Sequence, residues 1–142
     1  MTAFKEAKVI WQNGLAFEGT VGSGFSVRLD TIAEEGGGTG FSPMELLLVG
    51  LAGCTAMDVI SILKKKRQDV GSFEVRAHGL RADDHPRSFT DITLEFVVHG
   101  RNIDPKAVER SIELSRDKYC SVMGTLRKSP QIKTIFRVEE AA

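Results

Sequence analysis

The chain has 142 residues, a length that suits one domain with a core of its own. Nineteen Lys and Arg residues balance nineteen Asp and Glu, so there is no net field to recruit nucleic acid or an anionic membrane. Hydrophobic residues make up 42% and charged residues 27%, which excludes an intrinsically disordered chain.

The first residues, Met1 to Lys8, mix charged and small side chains without an apolar run, so no cleaved secretion signal is expected and the location expected is the cytoplasm. Residues 7–30 then read as a strand meander. Ala7 to Trp11 runs into Asn13-Gly14, a hairpin-turn dipeptide, and Leu15 to Thr20 returns. After Gly22-Ser23-Gly24, the residues Phe25, Val27 and Leu29 alternate with Ser26, Arg28 and Asp30, which predicts one buried face. Trp11 is expected as an anchor between strand and helix. The glycine-rich stretch Glu34 to Gly40 lacks the Gly-Lys-Ser/Thr of a phosphate cradle and carries two carboxylates, so it reads as a flexible lid or linker.

Ser42-Pro43 opens a helix, with the hydroxyl as N-cap, proline at the first helical position and Glu45 completing a capping box. The helix is predicted from Pro43 to about Gln68. Its first half is apolar nearly all round, so cover on several faces is expected, and the stretch Met44 to Leu63 is broken by Glu45, two glycines, Thr55, Asp58 and Ser61, a poor membrane span and a good buried helix. Its basic end, Lys64 to Arg67, complements the helix dipole. Ser72–Leu80 and Thr90–His99 read as strands, and Asp104-Pro105 opens a second helix through about Lys118, with Val108, Ile112 and Leu114 to Ser115 on its buried stripe. Cys120 to Lys128 reads as a further short helix, and Ile132 to Val138 alternates as a closing strand. The expected order is βββ-α-ββ-α-α-β, an α+β fold in a single domain spanning residues 1–142.

Two cysteines in a chain of expected cytoplasmic location seldom form a permanent staple, which leaves reactive thiols or buried packing residues. Cys54 sits mid-helix among Ala52, Gly53 and Ala56, small neighbours that let another element approach its sulfur. Cys120 stands at a predicted helix start, where backbone N–H groups favour a thiolate. Asp58, one helical turn beyond Cys54, would raise the pKa of that thiol unless a cation pairs with it. His78, His85 and His99 lack metal-ligand spacing, so neither a metal nor a cofactor is expected.

The segment Ser42-Pro43-Met44-Glu45-Leu46-Leu47-Leu48-Val49-Gly50-Leu51-Ala52-Gly53-Cys54-Thr55-Ala56-Met57-Asp58 resembles the central helix of the OsmC/Ohr family. Arg116-Asp117-Lys118-Tyr119-Cys120-Ser121-Val122 resembles its second-cysteine motif, and the element order matches throughout. The resemblance implies two sheets around a long buried central helix, in an intertwined homodimer with two active sites at the subunit interface. It implies a thiol peroxidase in which Cys54 attacks a hydroperoxide, Cys120 resolves the sulfenic acid as a disulfide, and an external dithiol restores both thiols. The family's peroxidases place a glutamate directly after the proline and an arginine on the N-terminal strands. Here Met44 follows Pro43, Glu45 comes one place later, and the first arginine is Arg28. Glu45 is therefore expected either as the catalytic carboxylate of the site or as the cap of the helix. The alternative function is a non-enzymatic protein that binds an apolar small molecule in the dimer-interface pocket.

Overall fold

Gly14 turns the chain at a φ of +52°, a left-handed conformation open to glycine. Across that turn Asn13 pairs with Ala16, joining strand β1 (Ala7–Asn13) to β2 (Ala16–Val21). Strand β2 pairs in turn with β3 (Ser26–Leu29), giving an antiparallel sheet in the order β1-β2-β3. This computed structural model describes residues 5–139, so the start of the charged Met1–Lys8 segment lies outside it. Trp11 is not the expected anchor. Its ring is 64% exposed, and its Nε1 donates to the Gly14 carbonyl at 2.9 Å, bracing the hairpin turn. Phe25 precedes β3 rather than joining it and is 77% exposed, so the buried face begins only at Val27.

The glycine-rich loop is clasped rather than free. Asp30 is buried and accepts hydrogen bonds from the Thr31 amide at 2.7 Å, the Thr39 amide at 3.4 Å and the Thr39 hydroxyl. Arg28 Nε donates to that same hydroxyl at 2.9 Å. A Cβ added at Gly37 would stand 2.7 Å from Asp30 Oδ1, so the clasp closes only over a glycine.

Helix α1 (Pro43–Lys65) starts with the predicted capping box: Glu45 N donates to Ser42 Oγ at 3.3 Å, and Ser42 N to Glu45 Oε1 at 2.9 Å. Three positions short of the expected end, the helix stops, and the backbone turns left-handed at Arg67, φ +57°. Within one chain, burial falls on a single stripe, Leu51, Thr55, Val59 and Leu63, at the four-residue spacing of one helix face. Val49 and Met57 on other faces are exposed, so all-round burial is not met by this chain alone. By length and composition alone the helix is long and apolar enough to cross a membrane, its mean hydropathy reaching 2.1 over eighteen residues, a property it shares with the core helices of soluble proteins. What ties it to its own chain are the bonds of Thr55 and Asp58 to Ser115.

Strands β4 (Asp69–Arg81) and β5 (Phe89–Arg101) pair as a two-stranded sheet. Helix α2 (Pro105–Leu114) is capped as expected by Asp104, whose side chain accepts from the Lys106 amide at 3.0 Å. It passes into a π turn at Ser115–Tyr119, and helix α3 (Ser121–Lys128) follows. The closing strand at Ile132–Val138 is not formed. A strand needs a partner edge, and Ile132, Ile135, Phe136 and Val138 are 82–97% exposed, uncovered by the described residues. The order observed is therefore βββ-α-ββ-α-α.

The chain packs as two compact units. One gathers the residues up to Gly53 and Glu74–Val97, including the three-stranded sheet. The other gathers Cys54–Phe73 and the residues from Val98 on, including α2, the π turn and α3.

Candidate functional site

The second unit holds both cysteines. Cys54 projects from α1 next to the buried stripe and is half-buried, while Cys120 is 5% exposed. Both thiols are free. Cys120 is the N-cap of α3, its Sγ accepting from the Met123 amide at 3.4 Å. The expectation that this position favours a thiolate is overturned by burial. Burial pushes the Cys120 thiol above its ordinary value, the amide of Met123 pulls it down, the nearby Cys54 thiol pushes it up again, and the amide of Val122 pulls it down slightly. The influence of Cys54 requires two sulfurs remote in sequence to be neighbours in the fold.

A polar network joins the helix that carries Cys54 to the turn that precedes Cys120. Ser115 Oγ donates to Asp58 Oδ2 at 2.9 Å, and Thr55 Oγ1 lies 2.8 Å from Ser115 Oγ. A hydroxyl has one proton, and Ser115 gives its own to the carboxylate, so Thr55 is the donor to Ser115. Asp58 thus pairs with a serine hydroxyl, and among the described residues no cation pairs with it. The buried residues of this stretch are Ala107, Ser111 and the expected Ser115, at four-residue spacing, with the expected Val108, Ile112 and Leu114 half-buried at its flank. Ser111 satisfies its hydroxyl on the Ala107 carbonyl at 2.7 Å.

Glu45 is not brought to the thiols by the helix it shares with Cys54. Nine residues of α1 separate them, about 13.5 Å of rise and half a turn out of phase. Its carboxylate caps Ser42, whose amide and hydroxyl hold it below its ordinary value. Met44 lines a separate, largely apolar pocket in the first unit, of about 580 Å³, together with Val9, Phe17, Leu29, Ile32 and Arg81. Neither cysteine lines it.

Ser115, expected on the buried stripe, and Thr55 were missed as site residues because nothing local shows which distant group a buried hydroxyl bonds. The available signal was the small-residue spacing Ala107, Ser111, Ser115, matched by Leu51, Thr55, Val59 on α1.

A family model described as OsmC-like protein matches residues 36–135, running through both units. The chain is 42% identical over 136 residues to Protein YhfA of Escherichia coli strain K12, covering 96% of this chain and 99% of that one. The crystal structure of a hypothetical protein from Aquifex aeolicus VF5 superposes with a TM-score of 0.78 at 33% identity, over 90% of each chain. The organic hydroperoxide resistance protein OhrB of Bacillus subtilis superposes with a TM-score of 0.59 at 17% identity, over 89% of this chain and 93% of that one, a likeness of fold.

Proposed function

The chain belongs to the OsmC/Ohr family, and from that premise we propose that it is a thiol-dependent peroxidase of organic hydroperoxides, with Cys54 the attacking thiol and Cys120 the resolving one. The observation that carries this reading is the pair of free, neighbouring and unequal thiols. Cys54 is the more accessible, as an attacking thiol must be, and Cys120 is held protonated by burial and by its partner. The name of the Bacillus subtilis relative, an organic hydroperoxide resistance protein, points the same way.

In the first step the Cys54 thiolate attacks the distal peroxide oxygen. An S–O bond forms, the O–O bond breaks, and the alkoxide takes a proton to leave as an alcohol, with Cys54 a sulfenic acid. Oxidation removes the thiolate charge of Cys54, and with it part of what keeps Cys120 protonated. Cys120 then attacks the sulfenic sulfur, an S–S bond replaces the S–O bond, and hydroxide leaves as water. An external dithiol returns both cysteines to thiols by two exchange steps and ends as its own disulfide. No cofactor enters this cycle. Glu45 acts in it as the cap that fixes the start of α1 rather than as a reacting group.

The working unit in this reading is a homodimer in the cytoplasm. The exposed apolar side chains of α1 and of residues 132–138 support a second copy as their cover. The test is consumption of cumene hydroperoxide by the reduced protein with dithiothreitol as the dithiol. Turnover that disappears in Cys54→Ser supports the proposal, whereas unchanged thiols and no consumption reject it.

The first-unit pocket favours a second reading, in which the protein binds an apolar small molecule without chemistry. In that case Cys54→Ser leaves ligand-induced thermal stabilisation intact.

A further inference from the structure

Ser115 is bonded in two directions at once. Through its hydroxyl it is held on α1, accepting from Thr55 and donating to Asp58 at 2.8 and 2.9 Å. Through its carbonyl it accepts the Cys120 amide at 2.8 Å, the bond that closes the π turn Ser115–Tyr119. Turns of this type are uncommon and recur at functional sites. Thr55 follows Cys54 on α1, so Ser115 ties the helix that carries one cysteine to the backbone amide of the other. Both hydroxyls are fully buried, and neither has another partner among the described residues. The order Thr55 to Ser115 to Asp58 has one sense, because a carboxylate only accepts. A network with a single sense and buried members holds one geometry, and disulfide formation depends steeply on the approach of two sulfurs.

We propose that Ser115 is a positioning residue: anchored on α1 by Thr55 and Asp58, it fixes the turn that presents the Cys120 sulfur to Cys54 and thereby sets the rate of disulfide formation. The proposal rests on the redox reading of the two cysteines given above. It assigns Ser115 to one step only. The attack of Cys54 on peroxide does not involve Cys120, whereas the attack of Cys120 on the Cys54 sulfenic acid needs the two sulfurs in line. In that step the sulfenic sulfur is reduced, the Cys120 sulfur is oxidised, and hydroxide departs as water.

The experiment compares the full-length protein with Ser115→Ala, Asp58→Ala and Asp58→Asn, each reduced and mixed with one equivalent of cumene hydroperoxide. Peroxide loss reports sulfenic acid formation, and loss of the second thiol reports the disulfide. Ser115→Ala and Asp58→Ala are each expected to slow disulfide formation by about ten-fold or more while peroxide loss stays within about two-fold. The Cys54 sulfenic acid then accumulates and is trapped by dimedone. Asp58→Asn keeps an acceptor oxygen and is expected to restore disulfide formation to within about three-fold of the parent. A role confined to folding would slow both steps together or neither, and either result overturns the proposal. Should Ser115→Ala fail to fold, the contrast between Asp58→Ala and Asp58→Asn decides the question by the same two readouts.

A second measurement separates this proposal from the peroxidase reading. Equilibration of the cysteine pair with a glutathione redox buffer needs no peroxide. If the parent protein ignores hydroperoxide yet Ser115→Ala lowers its disulfide equilibrium constant by about ten-fold, the peroxidase reading fails and the positioning role stands. If the parent consumes hydroperoxide and Ser115→Ala changes neither measurement, the peroxidase reading stands and the positioning role fails.

Discussion

Each unit of the molecule is organised around an aspartate that gathers hydroxyl groups, and the two do so at different range. Asp30 collects Thr31 and Thr39, its near neighbours in sequence, and the result is a loop folded on itself. Asp58 accepts from Ser115, fifty-seven positions on, and the result is a junction between α1 and the turn that carries Cys120. The local clasp shapes the chain where it stands. The distant one ties the helix of Cys54 to the turn before Cys120, and in the function proposed above only that one bears on chemistry.

The largest effect that would break this division is at the thiols. Cys54→Ser should reduce hydroperoxide consumption to the background rate, while Cys120→Ser should still react once and stop at the sulfenic acid, as single-turnover peroxide loss would show. If both variants keep full turnover, the second unit is not the reacting one. Next comes pH. Because the Cys120 thiol is pushed up, its thiolate and hence the rate of disulfide formation should rise about ten-fold per pH unit at neutral pH, levelling only above the ordinary thiol range. Stability runs the opposite way, since a raised thiol favours the fold below its unfolded value and loses that contribution as pH climbs through the raised one. Stopped-flow thiol loss across pH checks the first, and denaturant midpoints check the second.

Much of the architecture was legible in the sequence because its causes are local. Ser42, Pro43 and Glu45 announced the start of α1, and Asp104-Pro105 that of α2, since capping is decided within one turn. The cysteine motifs marked Cys54 and Cys120 through resemblance, but no spacing could show them to be neighbours. The relay from Thr55 to Asp58 was illegible for the same reason: its bonds join residues far apart in the chain, and small hydroxylic side chains look alike whether buried or solvated. The closing strand failed in the other direction. Alternation at Ile132–Val138 states what a strand would bury, while pairing depends on an edge that the described residues do not supply. The helix-terminal position of Cys120 is as the sequence predicts and its titration is not, because burial outweighs two amide donors.

Smaller effects sharpen the contrast between the two aspartates. Gly37→Ala places a Cβ 2.7 Å from Asp30 Oδ1 and should destabilise the protein by about 1–3 kcal/mol in urea melts, while leaving the rate of disulfide formation unchanged. A matching fall in that rate would show the two clasps to be coupled. The smallest effect is at the head of α1. Ser42→Ala removes the hydroxyl that accepts the Glu45 amide and should cost about 1 kcal/mol by the same melts.

The pairing of the two sulfurs is open to peptide mapping of the reduced protein after one equivalent of cumene hydroperoxide, with remaining thiols alkylated. A single cross-linked species is expected, joining the Cys54 and Cys120 peptides within one chain and migrating as a monomer under denaturing, non-reducing conditions. Full alkylation of both cysteines, or a covalent dimer in place of the internal link, would contradict it.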